Sequence, residues 1–190
     1  MVLKLHGSGL VEGITPQSGT VVQVQHFESS EQHTGSTATP ADIVSTTGVT
    51  FEKGITPIYA DSKILVQFGL KISGTPNTGI VSTRAIQKVN GTETDIAIST
   101  LSSHNGYSGG YSGSSSQGVG YFGFMERNLQ TLVDASGTVE HIFKPNWFMT
   151  NGITAYMNVT NYAVSVNQVG TGNPFDVGGV SSITLMEIKS

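Results

Sequence analysis

The sequence predicts an all-β protein: a jelly-roll-like antiparallel β-sandwich preceded by a short extended segment. Three observations carry that prediction. Charged residues make up only 12% of the chain, against about 25% in ordinary soluble domains. The exposed faces of helical proteins are built largely from Glu, Lys and Arg. Apolar residues recur with period two, most plainly in KILVQFGLKI from Lys63 to Ile72, as in a strand with one buried face. Finally, roughly eight to ten short apolar segments alternate with polar, glycine-containing turns, the pattern of a sandwich or jelly roll. A chain of 190 residues has room for one such domain and a short appendage.

The opening MVLKLHGSGLVEG is punctuated by glycine and shows no period. Residues 1–19 therefore read as an extended attachment segment ahead of a sandwich spanning 20–190. Within the sandwich, TVVQVQHF near Val22 and VTFEKGI near Phe51 are strand candidates. In the Lys63–Ile72 segment Ile64, Val66, Phe68, Leu70 and Ile72 alternate with Lys63, Leu65, Gln67, Gly69 and Lys71. At a helical period these side chains would scatter around the cylinder. SGTPNTG from Ser73 ends that strand.

Asn90-Gly91 joins VSTRAIQKV to TETDIAI, and Asn-Gly supplies the two positive-φ residues of a type I′ hairpin turn. VGYFGFME near Phe122 is the next strand candidate, and RNLQTLVD from Arg127 has room for two helical turns that no longer stripe extends. DASG from Asp134 is a turn, and GTVEHIF near Ile142 a strand. Asn151-Gly152 predicts a second hairpin, joining a segment that ends NWFMT to ITAYMNV, with Ile153, Ala155, Met157 and Val159 on one face. VGTGNPFDVGG from Val169 is a turn cluster before the last strand, VSSITLMEI. Neither heptads nor a fixed internal repeat occur.

Composition narrows function mainly by exclusion. A net charge of −4 with scattered Lys and Arg offers no basic footprint for nucleic acid or an anionic membrane. Without cysteine there are no disulfides, zinc–thiolate sites or cysteine nucleophiles, which favours folding in a reducing cytoplasm. No signal-peptide core and no apolar run of about 20 residues is present. GYSGG does not form a GxSxG elbow, because its serine falls in a loop. Gly7, Gly9 and Gly13 do not fit GxGxxG. His6, His26, His33, His104 and His141 make no HxH or HExxH spacing, and no DxDxDG calcium loop occurs. No cofactor, metal or catalytic residue is assigned, and the expectation is a protein that is not an enzyme. Asn90-Gly91-Thr92 and Asn158-Val159-Thr160 match the glycosylation pattern without a secretion signal to support it. Trp147 reads as a core or subunit-contact residue ahead of a sugar-stacking one.

One run stands apart: HNGYSGGYSGSSSQGVGYFGF from His104. Long structureless loops in compact domains tend to be functional or mobile, and tyrosine with serine and glycine is the composition of adaptable binding loops. Tyr107, Tyr111 and His104 are the candidate ligand contacts. The competing reading is a plain connection whose tyrosines pack on the domain's own flank.

Three segments carry a resemblance. LKLHGSGLVEGI is similar to the glycine-punctuated opening of many phage fibre-type proteins. ITPIYADSKILVQFGLKIS resembles their TP-(polar)-SKILV strand start, and VSSITLMEIKS their terminal strand. Between the last two, STRAIQKVNGT places Arg84 in the family's usual position. The resemblance implies a virion structural protein of marine and cyanobacterial phage type, a homotrimer with a jelly-roll-like sandwich, made in the host cytoplasm and carried on the tail or capsid surface. It implies a tail-fibre or receptor-binding component that contacts a host cell-surface glycan and joins other virion proteins through its N-terminal segment. The alternative is a capsid decoration or cement protein, or a tail spacer, with no host ligand. A glycan-cleaving depolymerase would need an acidic pair that nothing in the sequence marks.

Overall fold

A computed structural model of the chain describes residues 4–5, 11–12, 16–74, 81–98, 125–149, 154–159 and 178–190. Among these residues there are thirteen strands and no helix, and the strands form two antiparallel sheets arranged as a sandwich, with a separate small ladder ahead of them. That ladder is β1 (Lys4–Leu5) against β2 (Val11–Glu12), with Lys4 opposite Glu12.

The spine of the first sheet is β7 (Lys63–Gly74). Along one edge it pairs with β10 (Met125–Asp134), from Lys63 opposite Asp134 to Ile72 opposite Met125. Along the other edge it pairs first with β13 (Ser181–Ile188) and, beyond that, with the short β12 (Ala155–Met157). β3 (Val21–Ser29) extends the sheet past β13, and β4 (His33–Gly35) extends it past β12. In the second sheet β11 (His141–Met149) pairs along nine residues with β8 (Val81–Val89), which continues into β9 (Thr92–Ile98). β6 (Lys53–Ile55) and β5 (Ala41–Asp42) occupy the free edge of β11 in turn.

The period-two reading of β7 holds: Ile64, Val66, Phe68, Leu70 and Ile72 all lie in the core between the sheets. Ile183 and Leu185 join them from β13, and Phe143, Trp147 and Met149 face them from β11. Trp147 is a core residue, and Gly35 explains how its ring fits. A Cβ at Gly35 would lie 2.8 Å from the indole, so the backbone of β4 can pass there only without a side chain. The first hairpin is as expected: Asn90 and Gly91 hold φ of +50° and +81° between β8 and β9. The ladder then skips Ile96, a bulge that leaves this residue packed against the core.

One expectation changes, that of the second hairpin, and two readings left unsupported by the sequence are decided. RNLQTLVD is not helical but lies inside β10, whose ten ladder positions along β7 outweigh any local helical tendency in so short a segment. Asn151-Gly152 lies outside the described residues, but the strands it separates belong to different sheets, so no β11–β12 hairpin forms. β12 is instead gripped between β4 and β7, which buries Ala155, Tyr156 and Met157 alike. Asn158 does not present a glycosylation acceptor: it is buried, with φ of +64°. Its Nδ2 donates to the carbonyls of Ser29 (2.8 Å) and Glu31 (2.9 Å), and its Oδ1 accepts from Ser181 Oγ (2.6 Å). An amide so occupied has no hydrogen left to exchange for a sugar.

The outward face of the first sheet carries one apolar row. Met186 stands between Val24 and Leu65, and Leu65 stands beside Leu132, so four apolar residues line up across β3, β13, β7 and β10. Val24 and Leu132, at its ends, are 52% and 51% exposed.

Candidate functional site

His104, Tyr107 and Tyr111 lie outside the described residues. The most concentrated polar chemistry among the described residues sits elsewhere, at the end of β13. Ser181, Ile183, Leu185 and Glu187 share one face of that strand and all four are buried, so Glu187 brings a carboxylate into the core face. Such a charge is tolerated only if hydrogen bonds replace its water.

The residues that supply them come from the turn 56–62. Glu187 Oε1 accepts from the Tyr59 amide (2.9 Å) and from Ser62 Oγ (2.7 Å). The Ile58 amide is shared between both carboxylate oxygens, at 3.0 and 2.9 Å. Gln23 Nε2 donates to Oε2 at 2.6 Å and also to the Thr56 carbonyl at 2.7 Å. Burial pushes the Glu187 carboxyl up, but the donors from Ile58, Ser62, Tyr59 and Gln23 prevail and hold it below the usual glutamate range. The turn is fixed on its outer side by the Lys189–Asp61 ion pair, with Lys189 Nζ 5.0 Å from the centre of the Tyr59 ring. Ser62 also accepts from the Ala135 amide at 2.8 Å, which ties the turn to the end of β10.

A carboxylate filled by four donor groups has no lone pair free to take a substrate proton. The arrangement fastens a turn to the last strand; it does not poise an acid or a base. Sequence reasoning left Ser62 and Glu187 without chemistry, and the fold brings them together at 2.7 Å. The available signal was the parity of SSITLMEI, which puts Glu187 on the side of Ile183 and Leu185.

A second network covers the outward face of the other sheet. Lys144 Nζ, on β11, lies 2.7 Å from Asp42 Oδ2 on β5 and 2.7 Å from Glu93 Oε1 on β9. Burial pushes its ammonium down, but the two carboxylates prevail and raise it above the usual lysine value. Arg84 pairs with Asp95 at 2.7 Å. Beside it in the ladder stands Asn146, whose buried Oδ1 has no partner among the described residues, and Arg84 Nε is likewise unpaired there. His33 and His141 are buried and held below the ordinary histidine value by loss of water. Gln87 Nε2 donates to His141 Nδ1 at 2.7 Å, and the imidazole stacks on Phe143. His26 is near the surface, 2.8 Å from Thr184 Oγ1 and 3.2 Å from Glu28. No group of three His, Cys, Asp or Glu side chains among the described residues could hold a metal ion.

No family model and no curated protein matches the chain. Solved structures give distant likenesses. The subviral particle of the infectious bursal disease virus protein VP2 matches at 11% identity and a TM-score of 0.39, over 88% of this chain and 38% of that one. The Gx strain of infectious bursal disease virus matches at 7% identity and 0.39, over 96% and 41%. The T=1 particles derived from infectious bursal virus match at 10% and 0.38, over 96% and 40%. The chain thus spans about two fifths of the length of these structures. TM-scores below 0.4 at such identities carry neither fold nor functional identity.

Proposed function

We propose that this protein is a non-enzymatic structural component of a virion, built to hold shape and present a surface. The observation that carries the reading is the union of Ser62 and Glu187. Two of the segments that give the chain its phage-fibre resemblance, SKILV and LMEI, lie far apart in sequence and meet in one buried joint. Their side chains are consumed in fastening the scaffold, as a structural role requires.

Within that reading the finer assignment is a tail-fibre or receptor-binding component. His104, Tyr107 and Tyr111 would touch a host-surface glycan, and residues 1–19 would join other virion proteins. Self-association as a homotrimer draws support from the apolar row Val24–Met186–Leu65–Leu132 on the outward sheet face, since single exposed apolar residues are common but aligned ones favour a contact. Three copies would turn weak glycan contacts into useful avidity.

Gold-tagged antibody against the chain, applied to purified particles, tests the assignment. Gold at the tail periphery is the expected result. Gold spread over the capsid would replace it with a decoration role, and unlabelled particles would overturn the virion reading. The combined substitution of Tyr107→Ala and Tyr111→Ala is expected to lower host adsorption without changing the melting temperature. Unfolding would show that the loop is a packing element instead.

A further inference from the structure

β3 ends at Ser29, and the chain turns through Ser30 and Glu31 before His33 opens β4. Opposite this corner, the turn at Gly48 (φ +86°) leads into Val49, Thr50 and Phe51. Between the two lies a cleft of about 340 Å³, with Phe27, His33 and Phe51 at its base and Glu28, Glu31 and Val49 at its rim. The Phe27 and Phe51 rings are 5.5 Å apart, and His33 meets Phe51 edge-on at 6.0 Å.

The walls are fixed before any ligand arrives. Asn158 Nδ2 holds the Ser29 and Glu31 carbonyls, Ser29 Oγ accepts from the Glu31 amide at 3.1 Å, and Ser45 Oγ accepts from the Val49 amide at 3.1 Å. Preorganisation of this kind lowers the cost of binding.

The lining chemistry selects one ligand class. Glu31 is its one free formal charge, since Glu28 follows Phe27 along β3 and turns its carboxylate to the outward face beside His26, and no Lys or Arg is among the lining residues. His26 reaches Glu28 from the solvent side, while Glu31 forms no ion pair among the described residues. Anions are therefore disfavoured. Phe51 and His33 are almost completely buried, so they offer edges at the base and no open face on which a sugar ring could lie. His33 adds an independent sign of a missing partner: it is 2% exposed, and among the described residues neither ring nitrogen makes a hydrogen bond of full geometry. The Val44 carbonyl is the one backbone group near enough to favour its protonated form.

We propose that this cleft binds a primary ammonium carried on a flexible aliphatic stem, with Glu31 receiving the charge and Phe27 and Val49 the stem. The ammonium group satisfies the unanswered carboxylate, and its stem covers apolar surface that is half in water. A free alkylamine and a lysine side chain share this chemistry.

The test is a titration of the intact protein with n-pentylammonium, with Nα-acetyl-lysine methylamide, and with neutral 1-hexanol, following the Phe27 and His33 ring resonances. Saturable shifts with at least one amine and none with the alcohol are expected. Binding of pentylammonium alone would identify a diffusible amine, and binding of the lysine derivative a protein-borne one. The variant Glu31→Gln, checked for an unchanged melting temperature, is expected to bind about threefold more weakly, as loss of one exposed charge implies. Should that variant lose its melting temperature, the alcohol comparison in the native protein still decides. Equal binding of the alcohol, undiminished binding in the folded variant, or no saturable shift with either amine would overturn the proposal.

Discussion

A carboxylate withdrawn from water persists only while its lone pairs are filled, and Glu187 fills them from a turn nearly 130 residues away in the chain. Replacing it by Gln keeps the shape but points an amide at donors, so Glu187→Gln is expected to cost roughly 3 kcal/mol in urea unfolding at neutral pH. Its carboxyl is held below the unfolded value of roughly 4.3. Its contribution is therefore complete above that pH and lost as the pH falls through the folded value. The variant should flatten this acid limb of the stability curve, and an unchanged limb would remove Glu187 as its source. Gly35→Ala is a second residue-scale test: its methyl would meet the Trp147 ring at 2.8 Å. Such overpacking costs roughly 1–3 kcal/mol and should change the tryptophan emission. Neither effect could be read from residue type alone. The parity of β13 exposes Glu187 as anomalous, but its donors come from a turn that no local pattern links to it.

At the scale of the element, β7 was the most legible part of the chain because its two faces meet different surroundings, core and solvent. Phe68→Ala should cost roughly 3–5 kcal/mol in chemical denaturation, the usual loss for a large side chain deleted from a packed core. The β8–β9 hairpin was legible for a different reason: Asn90-Gly91 encodes backbone geometry directly. Asn90→Val is expected to lower stability by roughly 1–2 kcal/mol, since a β-branched residue is poorly suited to positive φ, while Asn90→Gly should be nearly neutral. Where the sequence misled, the decisive partner was remote. The three-residue β12 takes its sheet from β4 and β7, so the second hairpin could not survive, whereas β10, paired along β7, agrees with the absence of a helical stripe in RNLQTLVD. β3 was found as a strand, yet its Gln23, Gln25 and Phe27 register with the inward residues of β13, while Val24 faces water.

For the whole molecule the titrating groups set two boundaries. His33 and His141 are both held below the ordinary histidine value, so the unfolded chain binds protons first, and stability should decline as pH drops below about 6.5. Lys144 is shifted the other way: its contribution is present below the unfolded lysine value, near 10.4, and is lost as pH rises through the higher folded one. A melting-temperature scan against pH should therefore give a plateau that declines toward acid in the histidine range first. His141→Phe is expected to shrink that first step, and an unaltered step would assign it elsewhere. The fold class was legible at this scale because low charge and period-two patterning are global properties. The sheet order was not, because it depends on pairings between distant segments. Self-association belongs here too: light scattering at micromolar concentration should report a trimer, reduced toward monomer by Leu132→Glu, and a monomeric native protein would sink the assignment.

The lodging of β13 between β3 and β7 also has a consequence for synthesis. Gln23 and Glu187 are bonded across 164 residues of chain, so β3 leaves the ribosome long before the strand that will join it to the spine. Until then the nascent chain carries an unmatched strand edge, the kind of surface that invites pairing between neighbouring chains. Closure of this sheet therefore waits until β13 has emerged, and folding yield should depend on how quickly that strand finds its slot.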